Sequence, residues 1–140
     1  MDRSQSTAKV LIIDDDLDFV QWAREILERR SFAVDGAHNL EQAMDKLSRE
    51  KPDLIVLDIM LEKLSDGLTI CYRLKQDPEL RDIPVFAISA ISEKTGLRLG
   101  VKEGNRYFQP DAYAEKPISA AHLLHGIEKL LKKMEWKEGE

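Results

Sequence analysis

The fold of this chain is decided by the stretch Leu54-Ile55-Val56-Leu57-Asp58, in which an unbroken apolar run ends on an acid. A short continuous run of this kind is typical of a strand that is buried on both faces, as strands of parallel sheets are. The run Val10-Leu11-Ile12-Ile13 has the same character and is followed by Asp14-Asp15-Asp16. Two buried strands that both end on aspartates predict a charged edge on the sheet.

Working outward from these two strands, helical and strand patterns alternate along the chain. Further strands are predicted at Ala33-Val34, at Pro84–Ile88 with Ser89 at its end, and at Ala112–Glu115. Helices are predicted from Leu17 to Arg30, from an Asn39 cap to a stop before Pro52, from Gly67 to Gln76, within 92–109, and from a Ser119 cap through Met134. The pattern predicts an α/β fold, a doubly wound five-stranded parallel sheet with helices on both faces. Gly96, Gly100 and Gly104 predict that the fourth helix is short or irregular.

Length and composition bound the function. The chain has 140 residues, about one domain, and we predict an arm at 1–8, a domain at 9–134 and a tail or linker start at 135–140. A net charge of −5 argues against nucleic acid as the main partner, because phosphate backbones are bound by clustered cations. The single cysteine, Cys71, forms no internal disulfide, and no apolar run is long enough to enter a membrane. We therefore expect a cytoplasmic protein.

Polar residues follow four of the predicted strands, and they belong to one edge. Asp14 and Asp15 follow the first strand, Asp58 the third, Ser89 the fourth and Lys116 the fifth. In doubly wound folds this edge, at the carboxyl ends of the strands, holds the ligand. Crowded carboxylates favour a divalent cation such as Mg²⁺, which binds oxygen ligands and leaves positions for phosphate oxygens. Asp58 is then a candidate nucleophile toward a phosphoryl group, with the serine and the lysine as donors to its charge.

In order and spacing, four motifs resemble the receiver domain of two-component response regulators, from Lys9 to about Met134. They are KVLIIDDD (9–16), LIVLDIML (54–61), IPVFAISA (83–90) and EKPI (115–118). The resemblance implies the fold of the chemotaxis regulators, flavodoxin-like, with strand order 2-1-3-4-5. It also implies a phosphoryl-accepting switch, not an enzyme, that takes its phosphoryl group from the phosphohistidine of a sensor histidine kinase or phosphotransfer protein.

The resemblance assigns a role to each site residue. Asp58 is implied as phosphoacceptor and metal ligand, Asp15 and the Met60 carbonyl as direct ligands of Mg²⁺ or Mn²⁺, and Asp14 as an indirect one. Ser89, Ala90 and Lys116 are implied to bind the phosphoryl group, and Tyr113 to report activation by turning inward. Pro117 is implied to follow a cis peptide bond. The readout face is implied to be the fourth helix, fifth strand and fifth helix, which an unknown downstream protein or a second copy of the chain would contact.

Three features depart from the common pattern of the family. The loop from Asp58 to Gly67 is one residue longer, with Glu62 where a proline is usual, and about five extra residues, Arg106 to Pro110, precede Lys116. Met60 and Ile91 lie two residues beyond Asp58 and Ser89, at positions that in the family influence the water attacking the phosphoaspartate. Because neither side chain hydrogen-bonds water, we expect slow self-dephosphorylation.

Three alternatives stand beside this prediction. A haloacid-dehalogenase-type phosphatase also uses an Asp-x-Asp motif, which Asp14-Asp15-Asp16 matches, but such an enzyme gives Asp58 no role and needs a later acidic motif. A pseudo-receiver would keep the fold without accepting phosphate. The chain is also compatible with a fragment of a longer regulator. Singly, the aspartates are compatible with helix caps, Asp16 and Asp18 above all.

Overall fold

The computed structural model describes residues 7–59, 64–89 and 110–139. Within them strands and helices alternate: β1 (Lys9–Ile13), α1 (Leu17–Arg29), β2 (Ala33–Ala37), α2 (Leu40–Arg49), β3 (Leu54–Leu57), α3 (Leu64–Gln76), β4 (Val85–Ser89), β5 (Ala112–Glu115) and α4 (Ala120–Gly139). The fourth helix of the sequence prediction, within 92–109, and all but the last residue of the predicted insertion, Arg106 to Pro110, lie outside the described residues. The helix α4 therefore corresponds to the predicted fifth helix.

The strands form one parallel sheet in the order β2-β1-β3-β4-β5, which confirms the predicted topology. β1 lies between β2 and β3, and Ile13 is level with Ala37 on one side and Leu57 on the other. The carboxyl ends of β1 and β3 therefore meet at the centre of one edge.

Each face of the sheet carries its own hydrophobic core, because successive side chains of a strand point to opposite faces. On one face, Leu11, Ile13, Ile55 and Leu57 pack with residues of α2 and α3 such as Leu47 and Leu74. On the other face, Val10, Ile12, Leu54 and Val56 pack with residues of α1 and α4 such as Leu27 and Ile127. Helices thus cover both faces, as the buried strands predicted.

Side chains cap three of the helices. The Asp16 carboxylate accepts from the backbone N–H groups of Asp18 and Phe19 at the start of α1. Asn39 Oδ1 accepts from Gln42 N at 2.8 Å, and Ser119 Oγ accepts from His122 N at 3.0 Å. These caps satisfy N–H groups that have no partner within the helix.

The structure corrects several predicted boundaries. β2 extends to Ala37, α3 begins at Leu64 instead of Gly67, and α4 continues to Gly139, through most of the segment predicted as a tail. Gly67 lies inside α3 where the helix passes the backbone of Ile59, so closely that a Cβ atom would lie 2.5 Å from the Ile59 carbonyl carbon. Only glycine permits this approach, which fixes α3 beside the residue that follows Asp58.

Candidate functional site

The sheet ladder itself delivers the two central aspartates. Asp14 directly follows β1, and its backbone N–H donates to the Ala37 carbonyl at 2.9 Å. Asp58 directly follows β3, and its N–H donates to the Ile13 carbonyl at 2.9 Å. Because both residues still take part in the sheet's hydrogen bonding, the sheet fixes the positions of their backbones. The convergence predicted for the carboxyl ends of β1 and β3 is confirmed.

An acidic cluster occupies this edge. Carboxylate oxygens of Asp14, Asp15 and Asp58 all lie within 4.8 Å of one another. Asp14 and Asp58 are buried, with 1% and 7% of their surface exposed, whereas Asp15 is exposed. The cluster therefore reaches from the interior of the fold to its surface.

Lys116 supplies a cation to the same cluster. Its Nζ donates a hydrogen bond to Asp14 Oδ2 at 2.8 Å and lies 3.7 Å from Asp58 Oδ2. The lysine follows β5 and precedes Pro117, and the peptide bond between them is cis, as predicted. Asp14 Oδ1 meanwhile accepts from the Asp16 N–H at 2.9 Å, so both oxygens of this buried carboxylate have partners.

The surroundings of Asp14 disfavour the ionised form of its carboxyl group. Burial and then the charge of Asp58 raise the pKa of Asp14 from 3.8 to about 7, against the opposing effect of Lys116. Burial alone would lower the pKa of Lys116, but its hydrogen bond to Asp14 and the charges of Asp14 and Asp58 raise it overall. Among the residues that the structure describes, one ammonium thus contacts a cluster of three carboxyl groups, and the cluster is short of positive charge at neutral pH.

The donor set fits a divalent cation of the Mg²⁺ class. The three candidate ligands found within 7–59, 64–89 and 110–139 are carboxylates, and hard cations prefer oxygen ligands. A cation would also remove the repulsion that raises the pKa of Asp14. Asp15, the exposed member of the cluster, offers its carboxylate to a cation from the solvent side.

The remaining predicted residues are placed in part. Ser89 is the last residue of β4, beside β3 and level with Glu115 of β5, so it lies at the predicted edge. The Tyr113 hydroxyl is buried and has no hydrogen-bond partner within 7–59, 64–89 and 110–139, and burial, Glu115 and Asp58 raise its pKa. Met60, Ala90 and Ile91 lie outside the described residues.

The contact between Phe19 and Lys116 was not predicted from the sequence. The Lys116 Nζ lies 4.5 Å from the centroid of the Phe19 ring. The only signal in the sequence is an aromatic residue in the first turn of the helix that follows the three aspartates. Of the two aspartates considered above all as helix caps, Asp16 is the N-cap of α1, and Asp18 lies in the first turn of that helix. Cys71 is buried in the core, His122 and His125 are exposed on α4, and none of the three belongs to the acidic cluster found among the described residues.

Sequence comparison places curated response regulators among the relatives of this chain. It is 35% identical over 127 residues to the alkaline phosphatase synthesis transcriptional regulatory protein PhoP of Bacillus subtilis, covering 91% of this chain and 50% of PhoP. It is 34% identical to the polar-differentiation response regulator DivK of Brucella anthropi, covering 87% of this chain and 94% of DivK. The chain thus spans about half the length of PhoP and nearly all of DivK.

Solved structures show the same fold. A CheY-like response regulator receiver domain protein from Methanospirillum hungatei superposes with a TM-score of 0.78 at 21% identity, covering 94% of this chain and 99% of that one. A two-component response regulator from Clostridium difficile gives a TM-score of 0.76 at 29% identity, covering 91% and 98%. Every helix in the described ranges is too short or too polar to span a bilayer.

Residues 10–128 match the family described as the response regulator receiver domain. This match covers the sheet, the acidic cluster and the lysine. Receiver domains are phosphoacceptor modules of two-component signalling, in which histidine kinases are their partners, and the triad of Asp14, Asp15 and Asp58 is typical of their Mg²⁺-binding site. The chain belongs to the response regulator receiver domain family.

Proposed function

We propose that this protein is a phosphorylation switch in which Asp58 accepts a phosphoryl group from the phosphohistidine of a sensor histidine kinase or a phosphotransfer protein. One observation carries the proposal: the buried Asp58 carboxylate lies within 4.8 Å of two other carboxylates and 3.7 Å from the Lys116 ammonium. A nucleophilic carboxylate needs neighbouring positive charge as the phosphoryl group arrives. The Lys116 ammonium and a cation bound by the carboxylates would supply that charge.

In this reaction an Asp58 carboxylate oxygen forms a bond to phosphorus while the bond from phosphorus to the histidine nitrogen breaks. The imidazole leaves with the electron pair and takes up a proton. Lys116 and Ser89 donate hydrogen bonds to the oxygens of the transferred group. A divalent cation held by Asp15, Asp58 and the Met60 carbonyl, with Asp14 behind them, would neutralise further charge on those oxygens.

Phosphorylation would favour one of two states of the domain, because the phosphoryl group interacts differently with each. We assign the reporting role to Tyr113, whose hydroxyl is already buried without a partner among the described residues. The readout face would comprise segment 92–109, β5 and α4, with an unidentified protein as its target and homodimerisation as an alternative use. The negative net charge supports a protein target over nucleic acid, and a cytoplasmic location follows from the kinase's role as donor.

The decisive experiment is intact mass spectrometry after incubation with Mg²⁺ and phosphoramidate or acetyl phosphate. We expect a gain of about 80 Da, which is lost in Asp58→Ala and without Mg²⁺. The matched control is Asp53→Ala, because Asp53 precedes β3 at its other end and should leave the gain unchanged. No gain with any donor would favour a pseudo-receiver, and a gain that survives in Asp58→Ala would place the phosphoryl group elsewhere.

The lifetime of the phosphoryl group is a separate proposal. Met60 and Ile91 stand at the positions that influence the attacking water, and neither side chain can orient it by hydrogen bonding. We expect slow loss of phosphate and faster loss in Met60→Asn, measured as decay of the phosphorylated mass. A wild-type lifetime of seconds, or no change in the variant, would overturn this proposal.

A further inference from the structure

We propose that Phe19 is a positioning residue that holds the Lys116 ammonium at the phosphoacceptor through a cation–π contact. This inference rests on the proposed function of Asp58 and adds a component of the site to it. The Lys116 Nζ lies 4.5 Å from the Phe19 ring centroid, within the roughly 6 Å over which such contacts are attractive. Carboxylates face the ammonium elsewhere, with Asp14 Oδ2 at 2.8 Å and Asp58 Oδ2 at 3.7 Å.

The first turn of α1 ties Phe19 to the same aspartate that binds the lysine. Asp14 Oδ1 accepts from the Asp16 N–H at 2.9 Å, and Asp16 Oδ1 in turn accepts from the Phe19 N–H at 3.2 Å. Asp14 therefore holds the ammonium with one oxygen and the cap of α1 with the other. The Asp14 carboxylate thus holds the Lys116 ammonium directly and the backbone of Phe19 through Asp16.

Neighbouring side chains fix the orientation of the ring as well. Phe19 is partly buried against the core on the α1 and α4 face of the sheet. The Trp22 ring lies one turn farther along α1, with centroids 5.6 Å apart and planes tilted by 43°. Tilted aromatic pairs of this spacing are favourable, but the core contacts already hold the Phe19 ring, so the Trp22 ring is not needed to place it over Lys116.

Lys116 needs such a contact because open space lies beside it. A groove of about 530 Å³ is lined by Asp16, Phe19, Trp22, Lys116 and Ile118 together with Asp18 and Pro117. A lysine ammonium is strongly hydrated and sits on a flexible stem, and the Lys116 side chain is still 20% exposed. Without the ring, water would hydrate the ammonium from the groove, and the lysine side chain could adopt additional rotamers that point into the groove.

The ring also differs in kind from the other partners of Lys116. Asp14 and Asp58 belong to the acidic cluster and would share their charge with a bound cation. A phenyl ring has no titratable group and does not bind Mg²⁺. Its attraction for the ammonium therefore persists whether or not the carboxylates bind a cation. Phe19 would therefore keep the lysine in reach of the phosphoryl group when its anionic partners are engaged elsewhere.

The test uses Phe19→Leu, which keeps an apolar side chain but removes the ring, and Phe19→Tyr, which restores a ring. Trp22→Leu is the matched control, because it removes an aromatic side chain from the same groove but not the one over Lys116. The first readout is the NMR signal of the Lys116 ε-methylene protons, without Mg²⁺ or phosphoryl donor and assigned by its loss in Lys116→Met. The second is the initial rate of phosphorylation by phosphoramidate with saturating Mg²⁺.

We expect the ring to shift the ε-methylene signals upfield in the wild type, in Phe19→Tyr and in Trp22→Leu, and this shift to be lost in Phe19→Leu. The phosphorylation rate should fall about fivefold in Phe19→Leu and stay within about twofold of wild type in the other two. Equal rates in Phe19→Leu and wild type, or a Phe19→Tyr variant no faster than Phe19→Leu, would overturn the proposal. If the wild type accepts no phosphoryl group, the proposed function fails, while the NMR shifts still decide whether Phe19 positions Lys116.

Discussion

The two ends of the parallel sheet both bring lysines to carboxylates, but they differ in burial and in charge balance. At the amino ends, Lys9 Nζ lies 2.6 Å from Glu50 Oε1 and Lys75 Nζ lies 3.2 Å from Asp111 Oδ2, and these acids are 65% and 40% exposed. At the carboxyl ends, Lys116 faces Asp14 and Asp58, whose side chains are 2% and 8% exposed.

Burial and excess acid together distinguish a site from an ordinary ion pair. Water screens the amino-end pairs, so their contribution to stability is small. At the carboxyl ends the carboxylates are buried from water. Burial and then the charge of Asp58 raise the pKa of Asp14 to about 7. The contrast predicts that equivalent substitutions at the two ends have very different effects.

The largest expected effect is a pH-dependent stabilisation by Asp14→Asn in the metal-free protein. The pKa of Asp14 is about 7 in the folded protein, against an ordinary value of 3.8, so the folded state holds this proton more tightly. Asp14 therefore makes stability fall as the pH rises between these two values. We expect the variant to resemble wild type near pH 4 and to be more stable by roughly 2–4 kcal/mol near pH 7. Urea unfolding across this range measures the difference.

The same substitution made at the other end of the sheet, Asp53→Asn, is the control. Asp53 Oδ2 accepts only the exposed Lys9 N–H, at 2.7 Å, among the contacts of the described residues. Its effect should therefore vary little between pH 5 and pH 7. An Asp14→Asn effect that is constant with pH would show that Asp14 carries its charge without strain in the folded protein.

The second effect is stabilisation of the wild type by Mg²⁺. A cation that binds the folded acidic cluster should raise the free energy of unfolding at neutral pH by about 1.4 kcal/mol at ten times its dissociation constant. Thermal unfolding with and without Mg²⁺, and after chelation, measures this change. We expect Asp15→Asn to reduce the response and Asp53→Asn to keep it, so equal responses in both variants would contradict a site at the carboxyl ends.

The smallest effect is expected for Lys9→Met. The Lys9 ammonium pairs with an exposed glutamate, and such pairs contribute up to about 1 kcal/mol. Lys116→Met removes the ammonium that faces two buried carboxylates, so it should cost more, on the order of 1–3 kcal/mol at pH 8 without Mg²⁺. Urea unfolding of both variants gives the comparison, and a greater loss in Lys9→Met would reverse the assignment of the two ends.

The sequence was most informative where one apolar pattern decided the structure. β3 and β5 were both predicted residue for residue. The ends of β3 follow from its apolar run, which is bounded by Asp53 and Asp58. β2 was predicted too short, since Asp35 and Gly36 interrupt its pattern, yet both pair with β1 through the backbone. α3 begins at Leu64, before the predicted Gly67. Gly67 does not mark the start of the helix, because its role is to allow close packing against the Ile59 backbone.

The site was predictable as a set of residues but not as a set of environments. Three consecutive aspartates are equivalent as letters, yet Asp14 is buried, Asp15 exposed and Asp16 a helix cap. Which is which depends on the depth at which β1 ends relative to β2 and β3. The contact between Phe19 and Lys116 joins residues 97 positions apart, and no local pattern contains it.

The strand order also determines the order in which the charged residues of the site can come together during synthesis. β1, β2 and β3 are neighbours in the sheet and come from the first 57 residues, so Asp14 and Asp58 can meet as soon as this part of the chain emerges. Lys116 comes 58 residues after Asp58, a delay of about 3–12 s at roughly 5–20 residues per second. We expect the nascent domain to keep Asp14 protonated or to recruit a cation in that interval, which makes the chain's own lysine the last component of the cluster to arrive.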